Sequence, residues 1–268
     1  MDEAEWLACN DPDELVAFLQ DRERVSDRKA RLFAVACCRR IWHLITDERS
    51  RRAVEVAERF ADGKATDQER EVADAAANEA SKDAYTSVAL ATRRDVDGSN
   101  TYLGNYNSAE ATATAAAVCY GSTLAPGDLS VSVSFKGSWE TFMAWVARGA
   151  ALAVAQATRR VADPVAGCGA ATTAETSEKV VQCRLLHCLL GNPFRPLFLA
   201  PSWVAWNDGT VAKLAKGIYD DRAFDRLPVL SDALEDAGCD NAEMFGHLRR
   251  EGPHVRGCWV LDLLLCVT

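Results

Sequence analysis

The stretch Ser26-Asp27-Arg28-Lys29-Ala30-Arg31-Leu32-Phe33-Ala34-Val35-Ala36-Cys37-Cys38-Arg39-Arg40-Ile41-Trp42-His43-Leu44 decides the fold class. Ser26 is an N-cap residue type, whose hydroxyl can accept from an orphan amide of the first turn. Behind it Phe33, Cys37, Ile41 and Leu44 recur at the 3.6-residue period, which marks one buried face of a helix. No run in this stretch alternates apolar and polar residues, so a strand is excluded here.

The same grammar repeats on both sides. Asp11-Pro12 opens a helix carrying Leu15, Val16, Phe18 and Leu19, with proline in the first turn where its missing N–H costs nothing. A helix from about Asp47 carries Val54, Ala57 and Phe60 and stops at Gly63. Thr66-Asp67-Gln68-Glu69 is a capping box that starts an alanine-rich helix reaching about Thr92. Residues 95–106 are rich in Gly, Asn and Asp and read as loop, followed by an Ala/Thr helix from Asn107 to Tyr120. Leu129 to Phe135 alternates strictly, the one strand signature in the chain. Ser138 caps a helix through Trp139, Phe142, Val146 and Val154.

Gly167 and Gly169 among small residues read as a loop between two halves. Thr172-Thr173-Ala174-Glu175 then opens a helix through Val181, Leu185 and Leu189 that Gly191 ends, and Pro193 and Pro196 forbid continuation. Beyond Trp203 and Trp206 three short helices are expected. They carry Val211, Leu214, Ala215 and Ile218, then Leu227, Leu230 and Leu234 ending at Gly238, then Met244, Phe245 and Leu248 behind a cap at Asp240 or Asn241. Cys258 to Val267 is the closing apolar segment. The expected fold is mainly α, a multi-helix globular bundle with at most a small β excursion. Its organisation is an N-terminal helical half, 1–165, with an irregular insertion near 95–138, and a C-terminal half, 166–268, packed as one unit.

Composition sets the outer bounds. The chain has 268 residues, ample for a core, and a formal charge of −9, which argues against a general nucleic-acid binder. Arg39, Arg40, Arg49, Arg51 and Arg52 are interleaved with Asp47 and Glu48 and read as an ion-paired face. Acidic residues stand where a secretion signal would place basic ones, and no apolar run reaches the roughly 20 residues that span a bilayer. The expectation is a cytoplasmic chain whose ten cysteines are reduced thiols acting as small apolar groups.

Several phrases carry a resemblance: Ser26 to Phe33 with Cys37 to His43, Gly191-Asn192-Pro193-Phe194-Arg195-Pro196, Arg222 to Pro228, Asp232 to Asp240 and His254 to Leu265. They resemble a family of bacterial helical proteins, some of whose members carry SMI1/KNR4 labels. The likeness covers the two ends, roughly half the chain. It implies a helical fold and brings no activity, cofactor or site residue with it.

Candidate chemistry is sparse. Cys183 and His187 stand at i, i+4 with Cys188 beside them, and Cys239, His247, His254 and Cys258 form a second Cys2His2 set. No C-x2-C knuckle is present, and Leu185, Leu186, Leu189 and Leu190 surround the first group as they would in a core helix, so the expectation is no metal and no cofactor. Cys258, between Arg256 and Trp259, is the best candidate for a reactive thiol. No nucleophile elbow or phosphate-cradling glycine loop occurs. Asp220, Asp221 and Asp225 alternate with Arg222 and Arg226, which ion pairing explains, and Trp139, Trp145, Trp203 and Trp206 read as core anchors. Asp225, Arg226, His254 and Arg256 are expected to meet as a polar clamp or binding site, with Arg195 presented by the Gly191–Pro196 loop. The functional expectation is a non-enzymatic interaction or regulatory module that binds a protein partner. The alternative is a ligand- or metal-dependent enzyme using the polar cluster of the C-terminal third.

Overall fold

The structure, a computed structural model, describes residues 1–20, 25–94, 143, 146–151, 154, 167–195 and 198–267. The alternating segment Leu129–Phe135, the insertion near 95–138, and Trp139 and Trp145 lie outside the described residues. Among those described the protein is mainly α, with no strand. In chain order the helices are α1 (Glu3–Ala8), α2 (Pro12–Gln20), α3 (Asp27–Arg40), α4 (Glu48–Ala61), α5 (Asp67–Arg94), α6 (Gly167–Leu190), α7 (Pro201–Asp221), α8 (Leu227–Asp236), α9 (Ala242–Leu248) and α10 (Trp259–Leu265). No described helix is long and apolar enough to cross a membrane.

Two compact units emerge, and they do not coincide with halves meeting near residue 165. One is Asn10–Gln182 and the other joins Met1–Cys9 to Cys183–Thr268. The Gly167–Gly169 stretch is the first turn of α6 instead of a separating loop. Alanine, the best helix former, surrounds those glycines, and the roughly 1 kcal/mol that each glycine costs does not break the helix.

In the Asn10–Gln182 unit the capping residues act as their types require. Ser26 Oγ accepts from the Lys29 amide, Asp47 from the Arg49 amide, and Thr66 and Glu69 form the reciprocal box. Helix α3 ends at Arg40, one turn short of the apolar stripe, and Ile41–Leu44 continue as turns. Phe33, Ile41, Ile45, Val54 and Ala57 are fully buried, and α4 packs against both α3 and α5. The arginine face is ion-paired throughout: Arg39 with Glu58, Arg40 with Glu178, Arg49 with Asp47 and Asp83, Arg51 with Glu48, and Arg52 with Glu55. Arg39 and Arg51 also stack on the Trp42 ring, which occupies these cations within the protein.

The other unit is built on α7, which packs against α8 and α10, while α8 also packs on α9. Val211, Ala215, Ile218, Leu227, Leu230, Leu234, Met244, Val260, Leu261 and Leu264 form its core, with Trp203 and Trp206 half-buried against it. The closing segment is therefore core, as its apolar run predicts. Helix α7 is broken at Trp206–Gly209, where Asn207 and Asp208 take left-handed backbone that their short polar side chains tolerate. Asn241 caps α9 by accepting from the Glu243 and Met244 amides. Short α1 joins this unit from the chain's start: Trp6 is fully buried and Glu3 accepts from the Asn192 amide group.

Candidate metal centre

Four side chains from four places converge inside the Met1–Cys9, Cys183–Thr268 unit. Cys188 lies in the last turn of α6, His247 in the last turn of α9, His254 in the loop that follows, and Cys258 caps α10. Their ligand atoms all lie within 4.8 Å of one another. His247 Nε2 is 3.1 Å from Cys258 Sγ, and His254 Nδ1 is 3.8 Å from Cys188 Sγ. The two imidazoles meet edge to face with centroids 4.9 Å apart. Both cysteines are fully buried, His247 is buried and His254 half-buried.

These dimensions come close to what a tetrahedral ion needs, with the widest separations, up to 4.8 Å, having to draw in. Zinc bound at about 2.3 Å to sulfur and 2.0–2.1 Å to nitrogen places its ligand atoms about 3.3–3.8 Å apart. The second layer also fits. His254 Nε2–H donates to the Arg250 carbonyl, 3.2 Å away, which fixes the tautomer and turns the Nδ1 lone pair inward. The Val255 amide donates to the Cys188 sulfur.

The thiols share their charge unequally. Cys188 is held well above the ordinary thiol range, because its S–H donates to the Cys258 sulfur and because it is buried. Burial pushes Cys258 up as well, yet its polar contacts with Cys188, His247 and His254 outweigh that and hold the thiol well below its usual value. A dication meeting two thiolates would make the buried group neutral overall, which relieves the cost of burying charge. Apolar surroundings, the ground for expecting no metal, are therefore compatible with such a site.

The sequence sets are recombined. From the first, Cys188 enters the cluster while Cys183 and His187 do not. His187 Nε2–H donates to the Trp6 carbonyl at 3.0 Å, and burial lowers its basicity. From the second set His247, His254 and Cys258 enter, but Cys239, buried just after the end of α8, does not. The signal that finds the site is His247-x6-His254-x3-Cys258, a local run that lacks only its distant fourth member.

Of the expected binding residues only His254 belongs to the cluster. Arg256 donates to the Asp220 carbonyl and stacks over the Tyr219 ring at 5.4 Å. Asp225 and Arg226 lie exposed in the 3-10 turn Phe224–Arg226. Arg195 pairs with Glu3 at the start of α1.

No protein-family model, curated protein or solved structure matches the chain.

Beside the cluster is a cleft of about 300 Å³ lined by Leu7, His187, Gly191, Asn192, Glu243, Gly246, His247, Arg250 and Trp259. Burial pushes the Glu243 carboxyl up against the lowering influence of Arg195.

Proposed function

We propose that the unit of Met1–Cys9 and Cys183–Thr268 is a zinc-stapled helical module that works by binding and not by metal catalysis. Convergence of Cys188, His247, His254 and Cys258 within 4.8 Å carries this reading. Two thiolates and two imidazoles in tetrahedral reach are the donor set zinc prefers among biological cations.

Four protein ligands complete a tetrahedral sphere, leaving no position for an activated water, which supports a structural ion. The elements it would join support the same role. The segment 249–258 between α9 and α10 has no regular secondary structure and contains Gly252, Pro253 and Gly257. An ion ligated by His254 and Cys258 would anchor that loop to α9 and to the end of α6. Its binding energy would then be folding energy for this part of the chain.

With its metal structural, the chain fits an interaction or regulatory module better than a metal-dependent enzyme. The test is a thermal melt of the metal-stripped chain with and without added zinc. Stabilisation by zinc in the parent chain, absent in Cys188→Ala and Cys258→Ala, supports the reading. Equal melts in all samples would overturn it.

A further inference from the structure

We infer that the cleft against His247 is a binding site for a small zwitterion, a free α-amino acid with an apolar side chain. This goes beyond the metal reading: the cleft shares His247 with the metal centre but is formed by the chain itself.

Size comes first. A volume of about 300 Å³ is at the lower end of small-molecule pockets, which limits the occupant to a compact metabolite. The lining then sorts into three kinds of group. Arg250 offers a cation, suited to a carboxylate. Glu243 offers a carboxylate, and His187 offers an acceptor, since its Nε2–H is committed to the Trp6 carbonyl and Nδ1 therefore carries the lone pair. Leu7 and Trp259 supply apolar wall. A carboxylate, an ammonium and an apolar body on one small molecule satisfy all three.

Gly246 is the independent pointer. It sits inside α9, where glycine costs about 0.5–1 kcal/mol relative to alanine. A Cβ built there would meet nothing within 4 Å. Packing therefore does not require this glycine, unlike Gly191, where the Trp259 ring would stand 3.1 Å from an added Cβ. A bare helix position on the wall of the cleft, between Glu243 and Arg250 along the chain, keeps the space open for an occupant.

The experiment is calorimetric titration of the zinc-replete chain with leucine, methionine and phenylalanine at millimolar concentration, alongside their N-acetyl and amide forms. We expect at least one free amino acid to bind, and N-acetylation and amidation each to weaken it at least about tenfold, the effect of losing a charge-assisted bond. Gly246→Phe, which fills the cleft from an unstrained position, should abolish binding, and Arg250→Gln should weaken it about tenfold. Absence of binding by all three amino acids overturns the inference. Equal binding of the N-acetyl forms, or undiminished binding by Gly246→Phe, does so too. Zinc content read on the same samples keeps the two readings apart: a chain that holds zinc but takes no amino acid overturns this inference alone, and one that takes the amino acid without holding zinc overturns the metal reading alone.

Discussion

His247 Nε2 stands 3.1 Å from Cys258 Sγ, joining the last turn of α9 to the cap of α10 across the irregular segment between them. His254 Nδ1 makes the matching approach to Cys188 from the side of that segment. A single ion at the centre would tie α6, α9 and α10 at one point. Free zinc at about 100 times its dissociation constant should accordingly stabilise the folded chain by about 2.7 kcal/mol. Differential scanning calorimetry of the stripped chain should show that rise, and Cys258→Ala should show none.

The unequal thiols make zinc uptake a proton-releasing reaction. In the metal-free pair Cys188 is held well above the ordinary thiol range by donation to the Cys258 sulfur and by burial, while Cys258 is held well below it. Ligation requires both as thiolates. Zinc binding should release about one proton from this pair, and apparent affinity should rise about tenfold per pH unit around neutrality. Titration in a weakly buffered indicator solution measures both. A pH-independent affinity would contradict the paired-thiol arrangement.

Much of the fold could be read from local grammar. Ser26, Asp47, Thr66 and Asn241 are caps in the structure because cap chemistry is local, and the apolar stripes of α3, α4 and α8 face cores because period determines face. What misled was non-local or ambiguous. Gly167 and Gly169 read as a break, whereas they form the first turn of α6. The centre was half-visible in His247, His254 and Cys258. Its fourth member lies on α6, and only the folded chain distinguishes Cys188 from Cys183 and Cys239. The leucines flanking Cys188 suggested plain core, but a zinc–thiolate group that is neutral overall can share such surroundings.

Gly191 opens the Gly191–Pro196 phrase for two physical reasons. Its φ of +67° is left-handed, and the Trp259 ring lies 3.1 Å from where a Cβ would stand. Gly191→Ala should cost about 1–3 kcal/mol through backbone strain and displacement of the indole. Chemical denaturation reads this directly, and a loss below about 0.5 kcal/mol would show that Trp259 yields freely.

In the other unit Asp74 is an ionisable group at odds with its setting. Burial pushes its carboxyl up to about 6, against the hydrogen bond from Asn78 and the charge of Arg70. A folded value above the unfolded one penalises the ionised form. The penalty is absent below about pH 4, grows as pH rises toward 6, and is complete above. Partial exposure screens it to about 1 kcal/mol. Asp74→Asn should therefore stabilise the protein by that amount near neutral pH and by nothing in acid, as seen in denaturant midpoints at the two extremes.

The metal content of the purified chain tests the central claim most directly. After exhaustive dialysis without chelator, elemental analysis together with native mass spectrometry should find about one zinc per chain in the parent protein and none in Cys188→Ala. A parent chain that refolds fully from metal-free buffer, takes up no zinc when it is offered and melts at the same temperature either way would contradict the account.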